Sequence, residues 1–533
     1  MNNNQYTYNQ PPMGPVMPPQ PQMGMPPQMS PSRPRGWRER WMQRFGKVGQ
    51  MPRAKELTIP NWITGKSIVF FFVSLVVCWL AFGYIPAFEL WLIAFLSIIL
   101  FFYGGTSMSK SWAHTNDKMF IRKVFIAGLI VRLVWILYLY FIFNPNHFGD
   151  SVGEKADVEW FMPFGKDLSQ WLSGSSSMTL SQIIDRNGSA IDDVGYPMWL
   201  GIIYLFTGPE NDLFLPLLIK CVLGAYCAIC IYRVAKRHFG EGTARMTAIF
   251  VCLNPNMIYW CGTMMKETEM VFLCCLAIDN FDQTLTSGQK FTLRNLLPGM
   301  LAATALMFFR AALGLVVFLA FFAHIVMASQ RVMSTGKKII AGILVGAVLM
   351  VSMGDRIRVQ SQELFSAAQS EEVQKQNLEF RANREGGNSF ARYASSAVFA
   401  PLIFTIPFPT FNQANEGQLM QVQLSGGSYI KNIFSFYVIL VMLMMLISGE
   451  WRRHVFILAY TVGYHIVLAF SPFAQSGRFH MPVWPMLMLI AAYGIQMAKT
   501  NAKIRKWYPI VLVVEVAICL FWNWFKLKGR GMI

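Results

Sequence analysis

The sequence predicts an all-α, polytopic integral membrane protein, and three observations support this fold class. The chain of 533 residues is 54% hydrophobic. Only 14% of its residues are charged, whereas soluble domains average about 25%. From residue 67 to residue 525, apolar runs follow one another closely, and a helix needs about 20 such residues to cross a bilayer. These runs predict roughly eleven to thirteen transmembrane helices, with amphipathic helices in the outer loops.

The charge balance fits a membrane protein better than a nucleic-acid-binding protein. The chain has 46 Lys and Arg against 28 Asp and Glu, a formal net charge of +18. Cytoplasmic loops of membrane proteins are enriched in Lys and Arg, so this excess needs no nucleic acid partner. All nine cysteines fall in or beside apolar segments, which indicates neither a disulfide framework nor a spaced set of metal ligands.

Three regions follow one another along the chain. Residues 1–35 are rich in Pro, Met and Gln and predict a disordered cytoplasmic tail. Residues 36–58 form a basic amphipathic segment, with aromatic residues on one helical face, that fits the membrane interface; a solvated basic linker is an equally good interpretation. Residues 67–525 then form the transmembrane domain.

The positions of basic residues predict the orientation of the chain. Basic clusters belong in the cytoplasm with the N-terminus, at residues 110–123, 233–238, 331–338, 452–453 and 499–506. The two longest polar loops, 144–195 and 354–428, are then outside. This arrangement requires that the short apolar runs 196–207 and 396–408 do not cross completely.

The first outer loop concentrates carboxylates, at Asp150, Glu154, Asp157, Glu159, Asp167, Asp185, Asp192 and Asp193. Aromatic and leucine side chains between residues 160 and 172 recur at helical spacing and predict a helix at the membrane surface. Pro163 fits the first turn of that helix, which leaves Asp157 just before it. For any one of these acids, an ordinary solvated loop residue is the alternative interpretation.

Further motifs follow in a recognisable order. After the acid-then-aromatic sequence Asp157-Val-Glu-Trp160 come GYPMWLGIIYLFTG, LLIKCVLGAYCAICIYRVAKRHFG, LNPNMIYWCGTMMKETEMVFL and, near the C-terminus, GRFHMPVWPMLMLIAAYG. Over about residues 120–500 this order resembles the GT-C superfamily of polyprenyl-phosphate-dependent glycosyltransferases. That superfamily includes the protein O-mannosyltransferases and the lipid A aminoarabinose transferases.

The resemblance implies a catalytic base in the first outer loop. A carboxylate there would take the proton of an acceptor hydroxyl or amine while the acceptor attacks the anomeric carbon of the lipid-phosphate sugar. Asp157 fits the pattern best, and Asp150 is the second candidate. Glu267 could contact the acceptor or pair with Lys266.

The leaving phosphate gains negative charge during transfer, so the site also needs fixed cations. Four candidates lie at predicted outer membrane boundaries, namely Lys266, Arg310, Arg478 and His480. Simpler interpretations are snorkelling to the interface for Lys266 and Arg310, and an ordinary loop charge for Arg478. No metal ligand is assigned, although a divalent metal stays open because superfamily members work with and without one.

The leading hypothesis is a membrane glycosyltransferase on the outer face of a bacterial cytoplasmic membrane. It would move a sugar from a polyprenyl-phosphate-linked donor to an envelope glycan, lipid or protein acceptor, with membrane lipids around it. The alternatives are a flippase or polymerase of polysaccharide or lipid-linked oligosaccharide, and a catalytically inactive subunit. No internal repeat is evident and the ionisable residues cluster in outer loops, which favours the enzyme over a transporter.

Overall fold

The computed structural model describes residues 58–83, 88–143, 155–189, 193–208, 214–286, 293–327, 400–411, 419–471 and 474–529, together with Trp37, Lys375, Glu379, Gly531 and Ile533. Within these residues the ordered elements are helices and there is no strand, so the predicted all-α class is confirmed. The predicted tail 1–35, Asp150 and most of the segments 36–58 and 354–428 lie outside the described residues.

The helices are numbered here in chain order. They are α1 (Asn61–Phe82), α2 (Phe88–Ile99), α3 (Gly105–Ser111), α4 (Asp117–Tyr138), α5 (Lys155–Leu172), α6 (Leu180–Arg186), α7 (Gly195–Thr207), α8 (Phe214–Phe239), α9 (Glu241–Leu253), α10 (Pro255–Tyr259), α11 (Glu267–Thr286), α12 (Leu293–Phe309), α13 (Ala311–Met327), α14 (Leu419–Ser448), α15 (Val455–Phe470), α16 (Gly477–His480), α17 (Trp484–Thr500) and α18 (Ala502–Gly529). A π-helical turn, Leu100–Gly104, joins α2 to α3.

Seven helical segments of the described chain are long and apolar enough to cross a membrane. They are Asn61–Phe82, Trp91–Ser111, Asp117–Ile142, Phe214–Phe239, Leu424–Ser448, Gly477–Thr500 and Ala502–Gly529. Three shorter apolar helices accompany them, at Arg294–Phe309, Ala311–Met327 and Val455–Phe470. This set gives a multi-pass membrane protein. By contrast, α7 has 13 residues and spans about 20 Å, which is too short for a hydrocarbon core of about 30 Å.

The helices divide into an inner group and an outer group. The most apolar part of Gly477–Thr500 is buried along its whole length, and 61% of the corresponding part of α8 is buried. Only 22% of that part of Asp117–Ile142 is buried, and apolar side chains such as Ile130 and Val134 face outward. Lipid tails are as apolar as these side chains, so their exposure has little cost in a bilayer. The inner helices α8, α11 and α17 therefore form the protein core.

The first-loop helix α5 packs closely on α7 instead of floating alone at the surface. Glycines allow this approach, because a Cβ on Gly201 would lie 3.1 Å from the Gly165 carbonyl oxygen and from Leu168 Cβ. The expectation that Pro163 lies in the first turn of this helix, with Asp157 just before the helix, is wrong. Helix α5 begins at Lys155 and continues through Pro163, and the contact with α7 stabilises the turn that proline weakens.

We expect Gly201→Val to force α5 away from α7. Overpacking of a tight contact costs about 1–3 kcal/mol, so the protein should unfold at lower temperature in thermal melts of purified protein in nanodiscs. The matched control is Gly65→Val, because a Cβ at Gly65 meets nothing within 4 Å. Equal melting temperatures for the two variants would contradict the close packing of α5 on α7.

Candidate active site at a break in the helical core

The site is built around a break between α9 and α11. Pro255 has no amide proton and interrupts the helix after Leu253, and the Asn254 side chain caps the next turn by accepting from Met257 N at 3.0 Å. A short 3₁₀ turn, Trp260–Gly262, and an irregular segment up to Lys266 follow, and all of these residues are buried. Irregular backbone inside a membrane protein needs partners for its polar groups, or it lines a cavity.

Lys220 supplies partners for this irregular segment. Its side chain comes from α8 and is fully buried. Nζ donates to the Thr263 carbonyl at 2.8 Å and to the Met265 carbonyl, and it lies 3.4 Å from Glu269 Oε2. Lys220 therefore fixes the turn from which Lys266 and Glu267 emerge. Sequence reasoning missed it, although an ionisable residue inside an apolar helix is itself a signal of function.

Glu267 meets Arg478 across the core. Arg478 Nε donates to Glu267 Oε1, and both side chains are buried. Glu267 is the first residue of α11, whereas Arg478 lies on the short helix α16 far along the chain. The other carboxylate oxygen of Glu267 has no hydrogen-bond partner in the described part of the chain. The structure therefore pairs two predicted site residues, Glu267 and Arg478. Only one of the two carboxylate oxygens of Glu267 is used in this pair.

Arg310 approaches the same place from the junction of α12 and α13. Its guanidinium carbon lies 4.1 Å from the centre of the Phe479 ring, and that of Arg478 lies 5.7 Å from the same ring. Arg310 Nη1 is buried and no described residue accepts a hydrogen bond from it. Two guanidinium groups therefore share one aromatic ring, and one of them has a free donor.

Lys266 connects this region to the first outer loop. Its Nζ forms an ion pair with Asp193 and lies 5.6 Å from the centre of the Phe161 ring on α5. The backbone of Asp157 lies in α5 one helical turn before Phe161, and its side chain lies outside the described part of the protein. Lys220, Lys266, Arg310 and Arg478 are together called the cation cluster below. Positive charges outnumber the negative charges of Asp193, Glu267 and Glu269 beside them.

Tyr196, in the GYP motif, lies over Lys220. Its ring centre is 4.9 Å from Lys220 Nζ, and a Cβ on the preceding Gly195 would lie 2.8 Å from the Phe308 carbonyl oxygen, so only glycine fits there. The Tyr196 hydroxyl is buried and has no hydrogen-bond partner among the described residues. Burial, followed by the negative charge of Glu269, raises the pKa of Tyr196 well above that of an ordinary phenol. The hydroxyl therefore keeps its proton and can donate it.

His480 has a different environment from the other predicted phosphate ligands. Its Nδ1 lies 2.9 Å from Lys431 Nζ, and its Nε2 lies 2.8 Å from the Ala474 carbonyl oxygen. Both ring nitrogens are engaged inside the protein, where they tie α14 to α16. The role of His480 at a phosphate stays a prediction. Lys431, in the apolar helix α14, is a second buried lysine that sequence reasoning missed.

No group of three or more His, Cys, Asp or Glu side chains is placed to hold a metal ion within the described ranges. The cysteines are all buried and unpaired, at the positions where the sequence placed them in or beside apolar helices.

One comparison with known proteins bears on this geometry. Residues 170–357 match the model of the Alg9-like mannosyltransferase family. This match confirms the resemblance to the GT-C superfamily. The matched range includes Tyr196, Lys220, Lys266, Glu267 and Arg310, and it supports membrane glycosyltransferase activity in general. No curated protein and no solved structure matches the chain.

We expect Arg478→Met to destabilise the protein strongly, because it leaves Oε1 of the buried Glu267 carboxylate without its charged hydrogen-bond donor. Breaking a buried pair costs about 3–5 kcal/mol, whereas replacing both partners by apolar residues is often neutral. The double variant Arg478→Met with Glu267→Met should therefore regain stability in thermal unfolding.

The matched control is Arg453→Met. Arg453 pairs with Glu450 at 3.7 Å, but its side chain is 77% exposed, and surface pairs contribute at most about 1 kcal/mol. If Arg478→Met and Arg453→Met melt at the same temperature, the buried ion pair does not exist in the folded protein.

Proposed function

We propose that the protein transfers a sugar from a polyprenyl-phosphate donor to an envelope acceptor on the outer face of the cytoplasmic membrane. The observation that supports this proposal most is the cation cluster. Arg310 and Arg478 come from positions far apart in the sequence, yet both lie against the Phe479 ring, and Arg478 pairs with the buried carboxylate of Glu267, the neighbour of Lys266. Among the described side chains, the four cations of the cluster face three carboxylates, and such a local excess favours an anionic ligand because isolated buried cations are costly.

Phosphate is the anion that fits this cluster best. Guanidinium groups hold phosphate oxygens bidentately, and their charge acts strongly where water is excluded. During transfer, the bond between the anomeric carbon and the phosphate oxygen breaks, and negative charge grows on the phosphate. Fixed cations at that point lower the barrier because they stabilise this charge more in the transition state than in the bound donor. Arg310, whose Nη1 has no hydrogen-bond partner among the described residues, is the best-placed donor for this purpose.

The acceptor side of the reaction requires a base. Asp157 is the first candidate and Asp150 the second, as the order of motifs implies. The backbone of Asp157 lies one turn from Phe161, and the ring of Phe161 is 5.6 Å from Lys266 Nζ, which supports a location beside the cluster. One carboxylate oxygen of Glu267 has no hydrogen-bond partner in the described part of the chain, and it could hold the acceptor. A polyprenyl donor would enter from the bilayer, so its headgroup meets the site laterally.

The test is the transfer of radiolabelled sugar from polyprenyl-phosphate donors to an envelope-lipid extract by purified protein in nanodiscs. We expect wild-type protein to transfer sugar. Asp157→Asn should lower the rate about 100-fold because the proton of the acceptor then has no base, and Asp150→Asn should do so only if Asp150 is the base instead.

Asp185→Asn is the matched control, since this acid belongs to the same outer loop but is exposed on α6. Its rate should equal that of wild type. Full rates in both Asp157→Asn and Asp150→Asn would refute the assignment of the base. A protein that moves lipid-linked sugar across vesicle membranes without transferring it would be a flippase, and the proposal would fail.

A further inference from the structure

We propose that Glu269 and Tyr196 form a subsite that binds a hydroxyl group of a sugar next to the cation cluster. Both side chains are buried, and each has polar atoms without a hydrogen-bond partner in the part of the chain that the structure describes. The inference rests on the proposed glycosyl transfer, and it adds the residues that select the sugar. It is called the Glu269–Tyr196 subsite below.

The carboxylate of Glu269 is the first observation. Neither of its oxygens accepts a hydrogen bond from a described residue, although the side chain is only 3% exposed. Its one charged contact is Lys220 Nζ at 3.4 Å, which is longer than the usual 2.7–2.9 Å of a charge-assisted hydrogen bond. A buried carboxylate without hydrogen bonds is unfavourable unless another group donates hydrogen bonds to its oxygens.

Lys220 satisfies that carboxylate only in part, because two of its three hydrogens are committed to backbone carbonyls. An ammonium group has three donors, and Nζ points two close contacts at the Thr263 and Met265 carbonyls. Lys220 thus neutralises Glu269 at a distance while it holds the turn. The third hydrogen of Lys220 lies nearest Oε2, so Oε1 still has no hydrogen-bond donor among the described residues.

The Tyr196 hydroxyl is the second and independent observation. It belongs to a different helix, α7, and it has no partner although it is completely buried. The ring lies over Lys220 Nζ, which in turn contacts Glu269, so the two unpaired groups flank the same ammonium. Gly195 fixes the start of α7 against Phe308, and this contact orients the tyrosine.

The chemistry of the pair fits a neutral hydroxyl. A sugar hydroxyl could donate to Glu269 and accept from the Tyr196 phenol at the same time. An ammonium group fits less well, because Lys220 already neutralises the carboxylate and would repel a second cation. Glu269 lies three residues after Lys266 in the first turn of α11, so the subsite adjoins the groups proposed to hold the phosphate.

The hydroxyl could belong to the sugar of the donor or to a sugar of the acceptor. Binding and kinetics separate these sources. The binding probes are a short-chain prenyl phosphate and the same phosphate carrying mannose, the sugar named by the matched family. The kinetic probe is the envelope-lipid extract, with transfer measured as a function of its concentration. All experiments use the full-length chain in nanodiscs.

We expect Glu269→Gln to weaken binding of the mannosylated phosphate about 10- to 100-fold, because a hydrogen bond to a charged group is lost. Tyr196→Phe should weaken it about 2- to 10-fold, since that bond is neutral. Binding of the bare phosphate should stay within about twofold of wild type in both variants, because the cation cluster is intact. This pattern assigns the subsite to the donor sugar.

If the acceptor supplies the hydroxyl, both phosphates bind as in wild type. The extract concentration for half-maximal transfer then rises about tenfold while kcat changes little, which also supports the proposal. Tyr196→Phe removes only an oxygen, so it remains a test if Glu269→Gln does not fold. Tyr437→Phe is the matched control, because the Tyr437 hydroxyl is likewise buried without a partner but lies on α14 beside Tyr508.

Two results would overturn the inference. In the first, neither variant changes binding or kinetics relative to Tyr437→Phe. In the second, affinity for bare and mannosylated phosphate falls by the same factor, which indicates that Glu269 and Tyr196 only maintain the fold. Failure of the proposed function looks different, since wild-type protein would then transfer no sugar from the mannosylated phosphate to the extract, whether or not it binds the phosphates.

Discussion

The contact on which the site depends is that of Lys220 with the turn before α11. This turn leaves the helical hydrogen-bonding pattern in the core of the bundle, where water cannot satisfy its carbonyls. Instead of water, Lys220 Nζ donates hydrogen bonds to the carbonyls of Thr263 and Met265. Without a long, charged donor from α8, the Thr263 and Met265 carbonyls would lose this buried hydrogen-bond donor, which is costly. The turn that places Lys266 beside Asp193 and Glu267 beside Arg478 therefore depends on Lys220.

The same arrangement separates the charges of the site into two parts. Glu267 is held by Arg478, and Glu269 lies near Lys220, although the two acids are only two residues apart. Successive residues of a helix point in different directions, so a Glu-Thr-Glu sequence at a helix start presents its acids to two sides. One side faces Arg310 and the Phe479 ring, and the other faces Tyr196. A phosphate needs cations, whereas a sugar hydroxyl needs neutral hydrogen-bond partners, so the two groups need different sides of this turn.

Much of the fold and part of the site could be predicted from the sequence. Composition and apolar runs were sufficient for the helical membrane class, and motif order led to Lys266, Glu267, Arg310 and Arg478. Lys220, Glu269 and Tyr196 were not predicted, because their importance arises from contacts between helices α7, α8 and α11. The start of α5 was also wrong, since the weakening effect of Pro163 is local whereas the contact with α7 that offsets it is tertiary.

Burial explains why so few charges can serve this site. In water the cation cluster would attract any anion weakly, since exposed charges are screened. Inside the bundle each charge is costly unless it has a partner, and the described acids do not fully match the described cations. At Arg310 a positive charge has a donor without a partner among the described residues. At Glu269 the charge is balanced by Lys220, but hydrogen bonds from described residues are missing. A ligand that carries an anion at one end and hydroxyl groups at the other relieves both conditions at once, and a lipid-linked sugar phosphate has that chemistry.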